Sequence, residues 1–246
     1  MKLTKAFSLS LILLLITTSQ SYALKFFPFR ANFAPSGSES NKLFFAENNS
    51  EEKIAVQVSA QSYQMDKEGK ELNSQTDEFV IYPQQMIIEP GKRRAIRVQW
   101  VGEADLKIEK AYRIIAEQLP VNLDSQTVNN NEIKLMVNYR GMVFVTPKQS
   151  YSDLGINYQK IKKDDTYYLK LLFNNKGTRH IRIYNPKLSI FNKNGKSLHY
   201  DARNQLLETV DKGLILAKTI RYFYIPISKE LFLAIKNVKF DFDQNI

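Results

Sequence analysis

Short runs of alternating apolar and polar residues recur along this chain of 246 residues, and they constrain its fold more than any other feature. Side chains alternate across a β-strand, so a period of two marks a strand with one buried face. The segments with this pattern or a β-rich composition in the first part are 42–47, 54–63, 78–82, 94–100, 111–119 and 133–145. Turn-forming residues separate them, as at 66–69 and 89–91. The pattern predicts an all-β chain.

The alternation restarts after Pro147. Strands are predicted at 167–173, 180–183, 187–191, 214–216, 219–225 and 238–242, with hairpin turns at 174–177 and 192–195 and a short helical turn at 229–236. Six or seven short strands in about 120 residues favour a β-sandwich of the immunoglobulin type. We therefore expect two such domains, at residues 24–147 and 148–246.

The first 23 residues are predicted to be an export signal. Lys2 and Lys5 precede an apolar run at 7–16, and Ser21-Tyr22-Ala23 is a small-residue cleavage site. The alternative is a retained membrane anchor, but the apolar run is shorter than the roughly 20 residues that span a bilayer. We expect cleavage after Ala23 and no stable membrane insertion.

Composition excludes several function classes. The chain has no cysteine and two histidines, so thiol chemistry is excluded and no set of metal ligands is recognisable. We find no nucleophile motif and no glycine-rich phosphate loop, so we expect neither an enzyme nor a cofactor. The formal net charge of +10 is dispersed along the chain. This charge suits a solvated surface, an acidic partner or an anionic membrane surface, whereas nucleic acid is not expected.

The segment 133–145 is unusual among the predicted strands. At about thirteen residues it is about twice the usual strand length. Its odd positions are apolar except Gly141, and from Met142 onward its even positions become apolar as well. We expect it to pass from a half-covered to a fully buried position and to carry more apolar surface than its own sheet needs.

Three motifs resemble one protein family. Residues 79–91 read Phe-Val-Ile-Tyr-Pro-Gln-Gln-Met-Ile-Ile-Glu-Pro-Gly, residues 109–114 read Glu-Lys-Ala-Tyr-Arg-Ile, and residues 143–147 read Val-Phe-Val-Thr-Pro. In order and spacing these are similar to the PapD-like periplasmic chaperones of the chaperone–usher pathway, which assemble pili. The resemblance covers residues 28–147 well, and over 148–246 only the sheet-like character agrees. It implies a boomerang arrangement of the two sandwiches with a cleft between them.

The resemblance implies that the long strand completes a fimbrial (pilin) subunit by donor-strand complementation. The donor residues would be Ile133, Leu135, Val137 and Tyr139. The other interpretation of this apolar face is ordinary core of its own domain. An outer-membrane usher would receive the subunit, and self-association of the free protein stays open.

The family also holds the subunit's C-terminal carboxylate with an arginine and a lysine. Arg30 matches the arginine, whereas the lysine position is Met142 in this chain. We expect Arg140, two residues earlier on the same face, to take the second role; the alternative is that the clamp works differently here. Members of the family often have a basic residue that pairs with the acid matching Glu109. This chain has Thr146 at that position, which leaves the interdomain angle open.

The sequence predicts a periplasmic pilus-assembly chaperone. The alternative is a secreted two-domain immunoglobulin-like adhesin or structural fibre component, which need not bind any subunit with this strand.

Overall fold

The computed structural model describes residues 24–120 and 136–244. The strands of the first part are β1 Leu24–Phe27, β2 Arg30–Phe33, β3 Asn41–Asn48, β4 Ile54–Met65, β5 Glu71–Gln75, β6 Phe79–Tyr82, β7 Gln85–Ile88, β8 Arg93–Trp100, β9 Lys110–Leu119 and β10 Asn138–Val145. They form two sheets, ordered β1-β3-β8-β6 and β2-β10-β9-β4-β5, with β7 pairing with β4. We call these strands the first sandwich.

A second set of strands builds another pair of sheets. These are β11 Leu154–Lys163, β12 Thr166–Asn175, β13 Ile181–Asn192, β14 Ser197–Tyr200, β15 Leu214–Ile215, β16 Ile220–Ile227 and β17 Ile235–Gln244. One sheet has the order β11-β12-β16, and the other places β14, β15 and β17 around β13. We call this set the second sandwich. A single α-helix, α1 Lys229–Ala234, is found among the described residues, where the sequence predicts a helical turn; Ser38–Ser40 and Gln205–Leu207 are short 3₁₀ helices.

Each sandwich has its own apolar core. Phe44, Val98 and Ile114 are fully buried in the first, where the rings of Phe79 and Trp100 also pack edge to face. Leu169, Ile183 and Ile225 are among the fully buried residues of the second. In both sandwiches alternate side chains along a strand point into the core. The prediction of an all-β chain with two immunoglobulin-like sandwiches is confirmed. The domain limits at 147/148 remain a prediction.

Two local predictions are wrong. Segment 174–177 is no hairpin turn, because β12 and β13 belong to different sheets and the chain crosses between them there. The predicted strands 180–183 and 187–191 are one strand, Ile181–Asn192, which continues through a register shift in its pairing with β17. The turn predicted at 192–195 does connect the paired strands β13 and β14.

A small apolar cluster joins the two sandwiches. Met142 and Phe144 of β10 pack with Tyr63 of β4 and with Leu214 and Leu216 of the second sandwich. Met142 and Phe144 are only 6% and 5% exposed. Their burial between the sandwiches explains why both faces of this strand become apolar from Met142 onward, as the sequence predicts.

The N-terminal segment 1–23, predicted to be an export signal, lies outside the described residues. Within the described part of the chain, no helix is long and apolar enough to cross a membrane.

Candidate functional site: a free strand edge beside a group of arginines

The N-terminal half of β10 has one unpaired edge. β9 pairs with the whole strand, from Asn138 to Val145, in antiparallel register. On the other side, β2 runs parallel to β10 and pairs only with Met142–Val145. Among the described residues, no strand pairs with that side of Asn138–Gly141. A sheet edge of four residues is therefore open to another strand.

The backbone direction along this edge follows from two hydrogen bonds. The Val137 carbonyl accepts a hydrogen bond from β9 at 3.3 Å, and the Met142 N–H donates to the carbonyl of Phe29, the residue before β2, at 3.0 Å. Hydrogen-bonding groups alternate between the two sides of a strand. The N–H groups of Asn138 and Arg140 therefore point toward the open edge, where an incoming strand could accept from them.

The four predicted donor residues are only partly described. Ile133 and Leu135 lie outside the described residues. Val137 is half-buried and precedes the strand, which begins at Asn138, so the prediction that the strand includes 136 and 137 is wrong. Tyr139 lies in the strand, and its partly buried side chain packs against the first core. For Tyr139 the structure therefore supports the second interpretation, a contact with its own domain.

The two predicted anchoring arginines lie on one face of the same sheet. Arg30 opens β2 directly opposite Met142, and Arg140 precedes Met142 by two residues, so all three side chains share a face. Arg30 is exposed, and within the described chain its side chain has no hydrogen bond or ion pair. The Arg140 Nη2 lies 3.5 Å from Gln61 Oε1. Neither guanidinium is neutralised by a direct carboxylate contact among the described residues.

Arg113 is a third guanidinium on this face, to which the sequence assigned no role. It lies opposite Met142 on β9, and its Nη2 donates to Glu71 Oε1 at 2.5 Å. Its guanidinium also covers the Tyr63 ring at 4.5 Å. Burial raises the pKa of Glu71, but hydrogen bonds from Arg113 and Asn73 outweigh it and leave that pKa below its usual value. Arg113 is thus already paired with an acid.

Arg182 of β13 approaches the same face from the second sandwich. Its Nη2 lies 3.7 Å from Met142 Sδ, and its Nη1 donates to the Lys212 carbonyl at 3.1 Å. Burial, and then the positive charge of Arg30, lower the pKa of Arg182. We call Arg30, Arg113, Arg140 and Arg182 the cleft arginines. Among the described residues Glu71 is the single acid in direct contact with any of them, so the face is strongly positive.

Glu109 connects the sandwiches through partners that the sequence only partly predicts. Its buried carboxylate accepts from the Thr146 hydroxyl at 2.8 Å. It also accepts from the backbone N–H of His180 at 2.9 Å and contacts His180 Nδ1 at 2.6 Å. The imidazole stacks on Phe144 with ring centres 3.9 Å apart. Thr146 thus contacts Glu109 by a hydrogen bond, and His180 supplies the interdomain partner that sequence reasoning missed.

The comparison with protein families agrees with this architecture. Residues 34–150 match the family model described as pili and flagellar-assembly chaperone, PapD N-terminal domain. This segment of the chain belongs to the PapD-like family. It contains β10 and Arg140, while Arg30 precedes it. None of the curated proteins matches the chain significantly.

Solved structures similar to this chain include pilus chaperones, at low sequence identity. One is the CsuC–CsuE chaperone–tip adhesion subunit pre-assembly complex of Acinetobacter baumannii, with 15% identity, a TM-score of 0.58 and coverage of 84% of this chain and 89% of the other. The class 5 fimbriae chaperone CfaA has 14% identity and a TM-score of 0.57, and the match covers 91% of this chain and 100% of CfaA. The Salmonella enterica SafA pilin in complex with the SafB chaperone has 14% identity and a TM-score of 0.52, and the match covers 85% of this chain and 86% of the other. These similarities show a shared fold.

Metal-ligating side chains are not grouped together among the described residues. No group of three or more His, Asp or Glu side chains in this part of the chain could hold a metal ion. Glu109 and His180, which are in contact, are committed to the junction between the sandwiches. The site is suited to binding a strand and an anion.

Proposed function

We propose that this protein is a periplasmic chaperone that binds fimbrial subunits by donor-strand complementation and delivers them to an outer-membrane usher. The observation that carries the proposal is the open edge of β10 beside the cleft arginines. The family match over residues 34–150 supports the coarser role in pilus assembly. The predicted export signal at 1–23 supports a periplasmic location. The domain limits 24–147 and 148–246 are part of the same proposal.

The open edge supports binding through backbone hydrogen bonds. A subunit whose sandwich lacks a strand exposes a groove, and an added strand fills that groove with alternate side chains. In this chain the N–H groups of Asn138 and Arg140 face outward, while Ile133, Leu135 and Val137 are the proposed apolar donors. Burying one aliphatic side chain contributes roughly 1.5–3 kcal/mol before ordering costs. Covering the edge also protects it from aggregation.

The cleft arginines give the bound strand a fixed register. A carboxylate at the end of a subunit would meet Arg30, whose guanidinium is free within the described chain, and Arg140, which has only a long contact with Gln61. A guanidinium binds a carboxylate through two parallel N–H···O bonds. An anion fixed at one end of the groove sets which side chains enter which pockets.

Recovery of a complex tests the proposal. The protein is co-expressed in the periplasm with small secreted proteins encoded beside its gene, and complexes are isolated by affinity tag. We expect a stable complex that Arg30→Ala and Arg140→Ala each abolish while the variant still folds, because truncating one partner of a charge pair costs about 2–5 kcal/mol. Asn138→Pro, which removes one outward N–H, should weaken the complex. Arg203→Ala is the control, because that side chain is 91% exposed and remote.

Two results would contradict the proposal. If the Arg30 and Arg140 variants retain the subunit as tightly as the wild type, the anchoring assignment is wrong. If no neighbouring secreted protein binds and this protein itself reaches the cell surface, an immunoglobulin-like adhesin or fibre component is the better interpretation.

A further inference from the structure

Arg182 occupies an unusual position between the sandwiches. It belongs to β13 in the second sandwich, yet its Nη2 lies 3.7 Å from the sulfur of Met142 in the first. Its other hydrogen bond, to the Lys212 carbonyl at 3.1 Å, holds the guanidinium in place from its own domain. Met142 is the position at which the family resemblance leads us to expect a lysine. The positive charge missing from that side chain is therefore present beside it, on a residue from the other domain.

The guanidinium of Arg182 has no acid partner. Within residues 24–120 and 136–244 it makes no ion pair, and the positive charges of Arg30 and Arg113 both lower its pKa. Arg113 is neutralised by Glu71, but Arg30 is not. Arg182 is half-buried, and it is repelled by the charge of the exposed Arg30 as long as no anion lies between them. Such an arrangement is stabilised when an anion enters between them.

Neither of the other cleft arginines fills this role as directly. Arg113 stacks on Tyr63 and binds Glu71, so most of its donors are committed. Arg140 lies two residues from Met142, toward the open edge and near Gln61. Arg182, in contrast, contacts Met142 itself, and Met142 lies directly opposite Arg30.

We propose that Arg182 is a binding residue that forms, together with Arg30, a two-domain clamp for the terminal carboxylate of a bound subunit. This inference rests on the proposed function, since it names the ligand group held at that site. Arg30 approaches the anion from the first sandwich and Arg182 from the second. Binding the anion therefore also ties the two sandwiches together.

The first test uses inorganic phosphate as a probe and requires no subunit. The Nε–H resonances of the arginines are followed in ¹⁵N-labelled protein during a phosphate titration. We expect the Arg30 and Arg182 signals to shift with the same midpoint, and Arg182→Gln to weaken phosphate binding at Arg30 by about 10- to 100-fold, because a charge-assisted hydrogen bond is lost. Lys187→Gln removes a charge from an exposed position of β13 and should change the midpoint by less than about twofold.

Two phosphate results would overturn the clamp. One is a shift of Arg30 or Arg140 without Arg182, and the other is an Arg182→Gln titration that matches the wild type. Arg182→Lys distinguishes charge from shape. It should retain part of the affinity if the guanidinium binds an anion, and it should behave like Arg182→Gln if the residue only fills space.

The second test uses the subunit recovered by co-expression, with its natural C terminus or with a short Gly-Ser extension. Arg182→Gln should weaken binding of the natural subunit about 10- to 100-fold and have little further effect on the extended one. An equal loss for both subunits would refute carboxylate binding by Arg182. If no subunit binds the wild type, the proposed function fails, whereas the phosphate titration still decides whether Arg30 and Arg182 act together.

Discussion

Removal of the Glu109 carboxylate should weaken the connection between the two sandwiches. In Glu109→Ala all three hydrogen bonds disappear, and the His180 N–H loses its acceptor in a poorly solvated place. Breaking a buried charged network of this kind costs about 3–5 kcal/mol. In Glu109→Gln the amide oxygen can still accept from His180, and the amide nitrogen can donate to Thr146. Only the strengthening of these hydrogen bonds by charge is lost, so we expect the free energy of unfolding to fall by about 2 kcal/mol.

Urea unfolding with two probes measures this effect. Fluorescence of Trp100, the only tryptophan, reports on the first sandwich, and far-UV circular dichroism reports on the strands of both. With a urea dependence of about 2–3 kcal/mol/M, the loss in Glu109→Ala corresponds to a midpoint shift of about 1–2.5 M. The two probes need not coincide in a two-domain chain, so each is compared with its own wild-type curve.

Asp105→Ala is the matched control, because this carboxylate precedes the same strand but is 86% exposed and contacts only Lys107. We expect its effect to stay within about 0.5 kcal/mol. If Glu109→Ala unfolds at the same urea concentration as Asp105→Ala by both probes, the Glu109 network does not hold the sandwiches together. The prediction also requires that Glu109→Ala is less stable than Glu109→Gln, and that Glu109→Gln is less stable than the wild type.

Two further predictions concern the contacts around this junction. Phe144→Ala should cost about 3–5 kcal/mol in urea unfolding, because the ring is buried among the interdomain apolar residues and stacks on His180; a loss below about 1 kcal/mol would contradict that packing. Burial raises the pKa of Glu78, but hydrogen bonds from Lys110 and Tyr112 outweigh it and lower that pKa below its usual value of 4.5. The ionised Glu78 therefore stabilises the fold above about pH 4.5, and this contribution is lost as the pH falls through the folded-state pKa. The stability difference between wild type and Glu78→Gln should therefore shrink in acid unfolding series from pH 6 to about pH 3, and a constant difference would refute this role.

Strands with one fully buried face could be predicted from the sequence, and exposed edge strands could not. Segment 54–63 alternates clearly because every second residue of β4 enters the first core. Glu71–Gln75 is exposed along its whole length, and Leu154–Lys163 has no fully buried residue. Glu71–Gln75 carries no apolar period, and in Leu154–Lys163 the alternation is limited to the half-buried Leu154, Ile156 and Tyr158. Edge strands are stabilised by their pairing with one neighbour more than by burial.

Some residues of the candidate site could be predicted from the sequence, and others could not. Alternation along one strand was sufficient to place Arg140 on the face of Met142, and the parallel pairing with β2 adds Arg30 to that face. Arg182 and His180 could not be predicted, because their positions depend on how the second sandwich packs against the first. No local pattern encodes a contact between β13 and β10, which are about 40 residues apart in sequence.

The two departures that the sequence resemblance implies, at Met142 and Thr146, have a common physical consequence. At Met142 the first sandwich lacks a cation, and Arg182 of the second lies beside the sulfur. At Thr146 it lacks a basic partner for Glu109, and His180 of the second contacts that carboxylate. Both compensating side chains are lost if the sandwiches separate, so anion binding and domain packing are linked equilibria under the proposed clamp. An anion that binds Arg30 and Arg182 together stabilises the junction between the sandwiches. By linkage, an intact junction strengthens anion binding by the same free energy. Glu109→Ala, which touches neither arginine in the described contacts, should for this reason also weaken the binding of phosphate at Arg30.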